Sequence, residues 1–554
     1  MKSQTAVSTY LNYLIQRSSF LVFIQLVACL ILPITSRAQN EANNWFFGNG
    51  CGVSFNSGAP VAFANSNLNS AEGVSSISDA TGNVLMYTDG LSLYNQNDVV
   101  MPNGSGLLGG NSSSQSAVII RKPLSNNLYY LFTADQDAQP DGIRYSIVDM
   151  SLNGGLGNIT ATKNVLLHTP ATEKLTAVQH CNKRDVWIIA HGWGDANYMA
   201  WLLTPTGLTT TPVISSLGQI QDQTVIGCMK ASPDGKKLAI AVYDVGGSNY
   251  VQLSDFNPAT GVVSNAFQIP TPSNCYGVEF SPSSQYLYYT GGLSASSTSI
   301  AIYQADICAG SNAAVISSVT EVGNSSTGFI RTLQLGPNGK LYFTRFAQNW
   351  IGVIDNPNLA APSCGFNVNG VQLSAGAQCK AGLANFNQSF FRQQVPFGSS
   401  SSCLNVSFNT NAINQAASCL NPIQSYSWLF GDPSTGASNI SSSANPSHTY
   451  SSPGTYSVRL IINYLCSADT LFQNVTANCG PQLQVSDGIV CSGACYSLQA
   501  STVGGTPPYS YSWNSGIGSG SGPHSVCPGV TSNYIVTVTD ASGLTDQDTV
   551  TVTV

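Results

Sequence analysis

The sequence predicts an all-β chain: a seven-bladed β-propeller (six blades as the runner-up) over residues 39–396, followed by two β-sandwich domains. Three observations predict it. A short apolar strand, a turn of Ser, Asn, Asp, Gly or Pro, and a second apolar-aromatic strand recur between Gly73 and Phe343. No stretch of that region keeps a helical apolar period. Beyond it, apolar and polar residues alternate around Trp428 and again around Trp513, as in half-buried strands.

Length and composition set the frame. At 554 residues the chain is too long for one small core, and two to four domains are expected. Charged residues are 8% of the chain, against about 25% in typical soluble domains. The polar surface therefore comes from hydroxyls, amides and the 52 Gly. A net charge of −7 with no basic cluster excludes nucleic acid as a partner, since neutralising phosphates takes a concentrated Lys/Arg face. Such a surface suits a glycan or another protein.

The N-terminus reads as an export signal, residues 1–38. Lys2 and Arg17 precede an apolar run from Phe20 to Ile34, and Ser36-Arg37-Ala38 is a small-x-small cleavage site. The run is short for a membrane span, which needs about 20 residues, so no span is expected after signal removal. Leu26-Val27-Ala28-Cys29 also matches a lipobox, which would make Cys29 a lipidated terminus.

The hairpin repeat has six copies. The clearest runs from Met229 to Ala241 around Pro233-Asp234-Gly235; another spans Thr332 to Phe343 around Pro337-Asn338-Gly339. Pro presets φ and Gly supplies a positive φ, so the strand folds back on itself. Copies recur every ~45 to 60 residues, the length of a four-stranded blade with long loops. The segment from Asn44 to Phe63 holds strands without a first hairpin strand, and Gly382 to Phe386 is a first strand without the rest. Joining them predicts a seventh blade shared by both ends, which leaves no open edge. These hairpins resemble those of YVTN- and WD-repeat propellers.

Phe397-Gly398-Ser399-Ser400-Ser401-Ser402 reads as a Gly/Ser linker, 397–402. Residues 403–478 follow. There Trp428-Leu429-Phe430-Gly431-Asp432, then His448-x-Tyr450-x-x-Pro453-Gly454-x-Tyr456, resemble the signatures of the polycystic-kidney-disease (PKD) domain. That resemblance implies an extracellular Ig-like sandwich with structural roles for those residues and Trp428 as core anchor. Leu429 stands where the family carries Asp. Residues 479–554, with Gly504-Gly505-Thr506-Pro507-Pro508-Tyr509 and Tyr534-Ile535-Val536-Thr537-Val538-Thr539-Asp540, resemble the Ig-like repeats of Bacteroidetes surface adhesins. Proteins of that type commonly continue into a type IX secretion sorting domain; none is visible in this sequence.

Fifteen Cys in an exported chain make disulfides the default expectation. Cys364 with Cys379, and Cys419 with Cys466, are the candidate pairs. No Cys/His spacing of a zinc site occurs, and no metal or cofactor is expected.

Catalytic signals are weak. No G-x-S-x-G elbow occurs, and the five His form no set with acids on several blades. Aromatic residues crowd near the third copy. Trp193, in a loop between glycines, is a candidate ligand-stacking residue with Asp195 and Tyr198 beside it. Glu72 precedes a first strand, where blade ends approach the channel, and is the candidate inward carboxylate.

The expected function is non-catalytic recognition or adhesion outside the cell, secreted or at the cell surface. The propeller would bind a glycan or surface protein, with the sandwiches as spacers. The alternatives are an extracellular polysaccharide- or peptide-degrading enzyme with an accessory PKD domain, and a structural part of a gliding-motility or type IX secretion apparatus.

Overall fold

The computed structural model describes residues 40–554, apart from 223, 244–248, 293–298, 394, 414–422 and 465–467. The expected signal segment, Cys29, Cys419 and Cys466 lie outside the described residues. Among the described residues the chain is all-β apart from a few short helical turns, and no helix is long and apolar enough to cross a membrane.

Seven sheets succeed one another before Arg392 among the described residues. Sheet I holds three strands, Asn44–Phe47, Asn49–Ser57 and Ala59–Asn69. Sheets II to VII begin at Val74–Ser78, Ala117–Arg121, Ala171–Gln179, Met229–Ala231, Val278–Phe280 and Ile330–Leu335. Their later strands add antiparallel and in chain order, except that Val165–His168 pairs with Ile143–Asp149 and Val213–Ser216 with Asn197–Thr204. The predicted turns form for the predicted reasons. At Pro233-Asp234-Gly235 the glycine takes φ +74°, while Ser232 Oγ accepts the amides of Lys236 and Lys237 at 3.1 and 2.9 Å. Asp79 does the same work in sheet II, accepting the amides of Thr81 and Asn83 at 2.8 and 2.9 Å.

Ring closure differs from the expectation. Sheet I does not gain a strand from 382–386. Ala384–Asn385 instead pairs in parallel with the first strand of sheet II, in register Ala384 to Val74 and Asn385 to Ser75. The chain then crosses from sheet to sheet. Asn385 Nδ2 donates to the carbonyls of Ala117 (3.3 Å, sheet III) and Leu175 (3.0 Å, sheet IV). Asn387 bridges Ala177, and Ser389 Oγ accepts the Gln179 amide at 2.9 Å. The first strands are the inner edge of their sheets, and their free N–H and C=O groups need partners once buried. Residues 384–389 supply them, filling the axis with buried side chains. The fit is tight: a Cβ on Gly382 would lie 1.7 Å from the Glu72 carbonyl. Trp45, fully buried, meets Phe55 at 4.9 Å, Tyr342 at 5.6 Å and Phe386 at 6.1 Å. One ring thus packs the first sheet, the last sheet and this strap together.

The expected Gly/Ser linker is a strand. Gly398–Ser402 pairs antiparallel with Asn405–Asn409 along its whole length. Its side chains are mostly exposed, so serine suits an edge strand whose backbone does the bonding. Phe397 is already core, 4.9 Å from Trp428 and 6.0 Å from Phe408. This unit has a three-stranded sheet facing a four-stranded one built on Ser425–Leu429, Gly454–Asn463 and Ala468–Ala477. Trp428 Nε1 donates to the Ser443 carbonyl at 2.8 Å, and Tyr450 Oη to that of Phe430 at 3.1 Å. Asp432 accepts the Ser451 amide at 2.7 Å, and hydrogen bonds led by that of Ser434 hold its carboxyl below the usual range. The last unit centres on Trp513, Val536, Val550 and Val552.

Disulfides join Cys403 to Cys479, tying the ends of the second unit, and Cys495 to Cys527 in the third. The expected Cys364–Cys379 bridge is absent: both are free, buried thiols, as are Cys51, Cys228 and Cys275. Cys379 points to the Trp350 carbonyl (3.5 Å) and burial pushes its thiol up to about 12.

Candidate functional site

The antiparallel order gives the seven-sheet unit two different ends. Hairpins between first and second strands lie at one end, here called lower. The turns between second and third strands, and the links from one sheet to the next, lie at the other. The strap leaves at the lower end, where Arg392 Nη2 contacts Asp469 at 2.7 Å and Lys183 pairs with the same carboxylate. Arg392 also lies 5.7 Å over the Tyr464 ring. The second unit is therefore held at the lower end, and the upper loops stay clear of these contacts.

At the upper end several loops bring charged and aromatic groups together. The strap's Ala381 is the hub. Its amide donates to the Ala71 carbonyl at 3.0 Å, and its carbonyl accepts the Thr332 amide at 3.3 Å and Thr344 Oγ1 at 3.0 Å. Glu72, Arg331 and Lys380 are each one residue from that hub. Tyr276, buried, donates its hydroxyl to Glu72 Oε2 at 2.9 Å. Arg331 lies 5.3 Å over the Tyr276 ring, 5.4 Å over Tyr243 and 5.7 Å over Phe329. Lys380 sits 5.8 Å over Phe346. Glu173 accepts the Ser114 amide and hydroxyl at 2.8 and 2.7 Å and the Asp137 amide at 3.2 Å.

Electrostatics follow from burial. Glu72 is pushed up to about 7, chiefly by burial and next by the Glu173 charge, with Tyr276 and Arg331 pulling the other way. Burial also raises Glu173. Lys174, fully buried, is lowered to about 8 by burial and donates to the carbonyls of Val225 (2.9 Å) and Ile226 (3.1 Å). Arg331 and Lys380 make no hydrogen bond or ion pair among the described residues. Deeper along the axis, Glu279 and Lys230 pair at 3.5 Å, both buried, which makes Glu279 structural.

The sequence candidates divide. Glu72 lies in this cluster. Trp193 and Asp195 lie in an upper loop of sheet IV. Trp193 is half-buried with its amide on the Pro170 carbonyl at 3.2 Å. Asp195 is occupied in shaping the turn, accepting the amide and side-chain nitrogen of Asn197 at 2.8 Å each. Tyr198 is core, not surface: fully buried, it meets His191 edge-on at 4.8 Å and accepts Gln252 Nε2 at 2.7 Å. His180 and His191 fall at opposite ends of their hairpin, so they form no pair. Arg331, Tyr276, Tyr243, Glu173 and Lys380 were not singled out by sequence. A signal existed for two positions. Glu72-Gly73 and Tyr276-Gly277 both precede a first strand, and a Cβ on Gly73 or Gly277 would lie 2.2 Å from the Ser116 amide or 2.1 Å from the Arg331 carbonyl. Those glycines let neighbouring sheets close in and set the preceding side chain at the upper rim.

Among known proteins, a family model of the PKD domain matches residues 399–479. That match and the disulfides are of a kind typical of extracellular proteins. No curated protein matches the chain. Similar solved structures include hydrazine synthase of Kuenenia stuttgartiensis (14% identity over 51% of this chain and 73% of that one, TM-score 0.32). A protein of unknown function from Desulfotomaculum acetoxidans matches at 13% identity over 61% and 95%, TM-score 0.36. TolB of Acinetobacter baumannii matches at 12% over 58% and 73%, TM-score 0.27. The fold itself is all-β.

Proposed function

We propose that the chain is an exported, non-catalytic recognition protein. Its seven sheets are the blades of one propeller that presents its upper loops to a glycan, and the PKD and second Ig-like units act as spacers. The observation that carries this reading is the placement of the two ends. The strap fills the axis and the PKD unit is clamped to the lower end by Asp469, while the upper rim gathers Glu72, Arg331, Lys380, Tyr243, Tyr276 and Phe329 from separate loops. Polar groups converging from several elements beside the exposed Phe329 ring and the partly buried Tyr243 suit a hydroxyl-rich ligand. Among the described residues no cluster of His, Cys, Asp and Glu is arranged to hold a metal ion.

One observation favours an enzyme as the second reading. A carboxyl at about 7 beside another carboxylate is the pairing that glycoside hydrolysis uses. The test addresses both: the full chain on an array of neutral and acidic glycans, with the bound glycans then analysed for cleavage. Retention of an intact glycan, lost on Glu72→Gln, is the expected result. Cleavage would replace the recognition reading by the enzymatic one, and no retention would remove the glycan.

A further inference from the structure

Two cations of the upper rim make no hydrogen bond or ion pair among the described residues, although Arg331 lies within electrostatic reach of Glu72. The Arg331 guanidinium carbon lies 5.3 to 5.7 Å from the centroids of three aromatic rings, and among the described residues its N–H groups meet no hydrogen-bond acceptor. Lys380 rests on Phe346 in the same state, one residue from the Ala381 hub. A guanidinium carries paired N–H donors in a rigid fork, which a planar acceptor with two oxygens matches. The Tyr276 ring links the two halves of the site: its face lies against Arg331 and its hydroxyl is bonded to Glu72 at 2.9 Å. Glu173 and Asp137 complete the rim on the far side.

We propose that this rim is a subsite for a carboxylated sugar, a uronate, whose carboxylate pairs with Arg331 and Lys380 while its ring hydroxyls donate to Glu72 and Asp137. The proposal rests on the glycan reading above and narrows it. A planar monoanion matches the Arg331 fork. A phosphate monoester brings up to two charges against Glu72, Glu173 and Asp137, and like charges in a partly buried site repel strongly. A sulfate ester, a tetrahedral monoanion, lacks the planar carboxylate shape that matches the fork. A neutral sugar leaves both cations unpaired. An α-amino acid would offer an ammonium to Glu72 with no hydroxyls for Asp137.

The experiment titrates the full chain by calorimetry with trigalacturonate, with a neutral galactose trisaccharide, with a sulfated galactan oligomer and with glycine. Binding of trigalacturonate alone is expected, weakened on the order of tenfold or more by Arg331→Ala, as loss of a charge-assisted pair implies. Arg331→Lys, which keeps the charge and loses the fork, should fall between, and melting curves confirm that both variants fold. Equal binding of the neutral trisaccharide, unaffected by Arg331→Ala, would overturn the uronate and leave the glycan reading standing. Binding of sulfated galactan or of glycine alone would also overturn it. Silence from all four ligands, with intact melting curves, would overturn both.

Discussion

Glu72 gives the sharpest stability test. Replacing it by Gln keeps an acceptor for the Tyr276 hydroxyl and removes the ionisable group. The folded carboxyl titrates at about 7 against an ordinary 4.5. At about 1.4 kcal/mol per tenfold in proton affinity, ionising it costs the folded state ~3 kcal/mol. Part of the side chain reaches solvent, which brings the figure to about 2 kcal/mol. The sign follows from the raised value. Protonated Glu72 contributes its full stability below pH 4.5, and that contribution is lost as pH rises through about 7. Wild type and Glu72→Gln should therefore melt alike at pH 4.5. At pH 8.5 the variant's transition for the seven-sheet unit should lie about 3 °C higher, in calorimetry that resolves it from the other units. Parallel pH profiles for the two proteins would refute a buried, charge-opposed carboxyl at this rim.

Other outcomes follow from the same structure. His191 is lowered to about 4, chiefly by burial, so its imidazole should stay neutral by NMR until pH approaches 4, while any native His191 titrating near 6.5 would contradict its burial. The native form then loses stability as pH falls below 6.5, because the unfolded imidazole takes up its proton first. Asp469→Ala should leave the unfolding transitions within about 1 kcal/mol, yet speed proteolysis between Arg392 and Phe397 by freeing the lower-end clamp. Ellman's reagent should label exposed Cys491 in the native protein and reach Cys228, Cys275, Cys364 and Cys379 only on unfolding. Trp45→Ala should cost the seven-sheet unit about 3 to 5 kcal/mol, read as a lowered denaturation midpoint.

What the sequence disclosed was local. A turn such as Pro233-Asp234-Gly235 is written in adjacent residues, as is the strand alternation around Trp428, and both formed as read. The strap was misassigned because two residues, Ala384 and Asn385, pair in parallel with a strand 310 positions away. Nothing in their side chains marks that partner. Gly398–Ser402 was read as a linker because serine is a poor core residue, but an edge strand is held by backbone groups that every residue carries. Tyr198 looked like part of a binding loop, yet its place in the alternation of Asn197–Thr204 turns its ring into the core. Of the rim, only Glu72 is singled out from sequence, although Tyr276-Gly277 carries the same signal. The rim's other members come from separate loops, and no spacing rule joins Tyr276, Arg331 and Lys380 before the sheets close around Ala381.

Hydrogen exchange on the full chain with and without trigalacturonate tests the central claim most directly. The account predicts slowed amides at residues 71–73, 136–138, 276–277, 329–332 and 378–381, with the lower hairpins at 79–83, 232–237 and 281–285 unchanged. Protection confined to those hairpins, or to the units beyond Phe397, would place recognition elsewhere and contradict it.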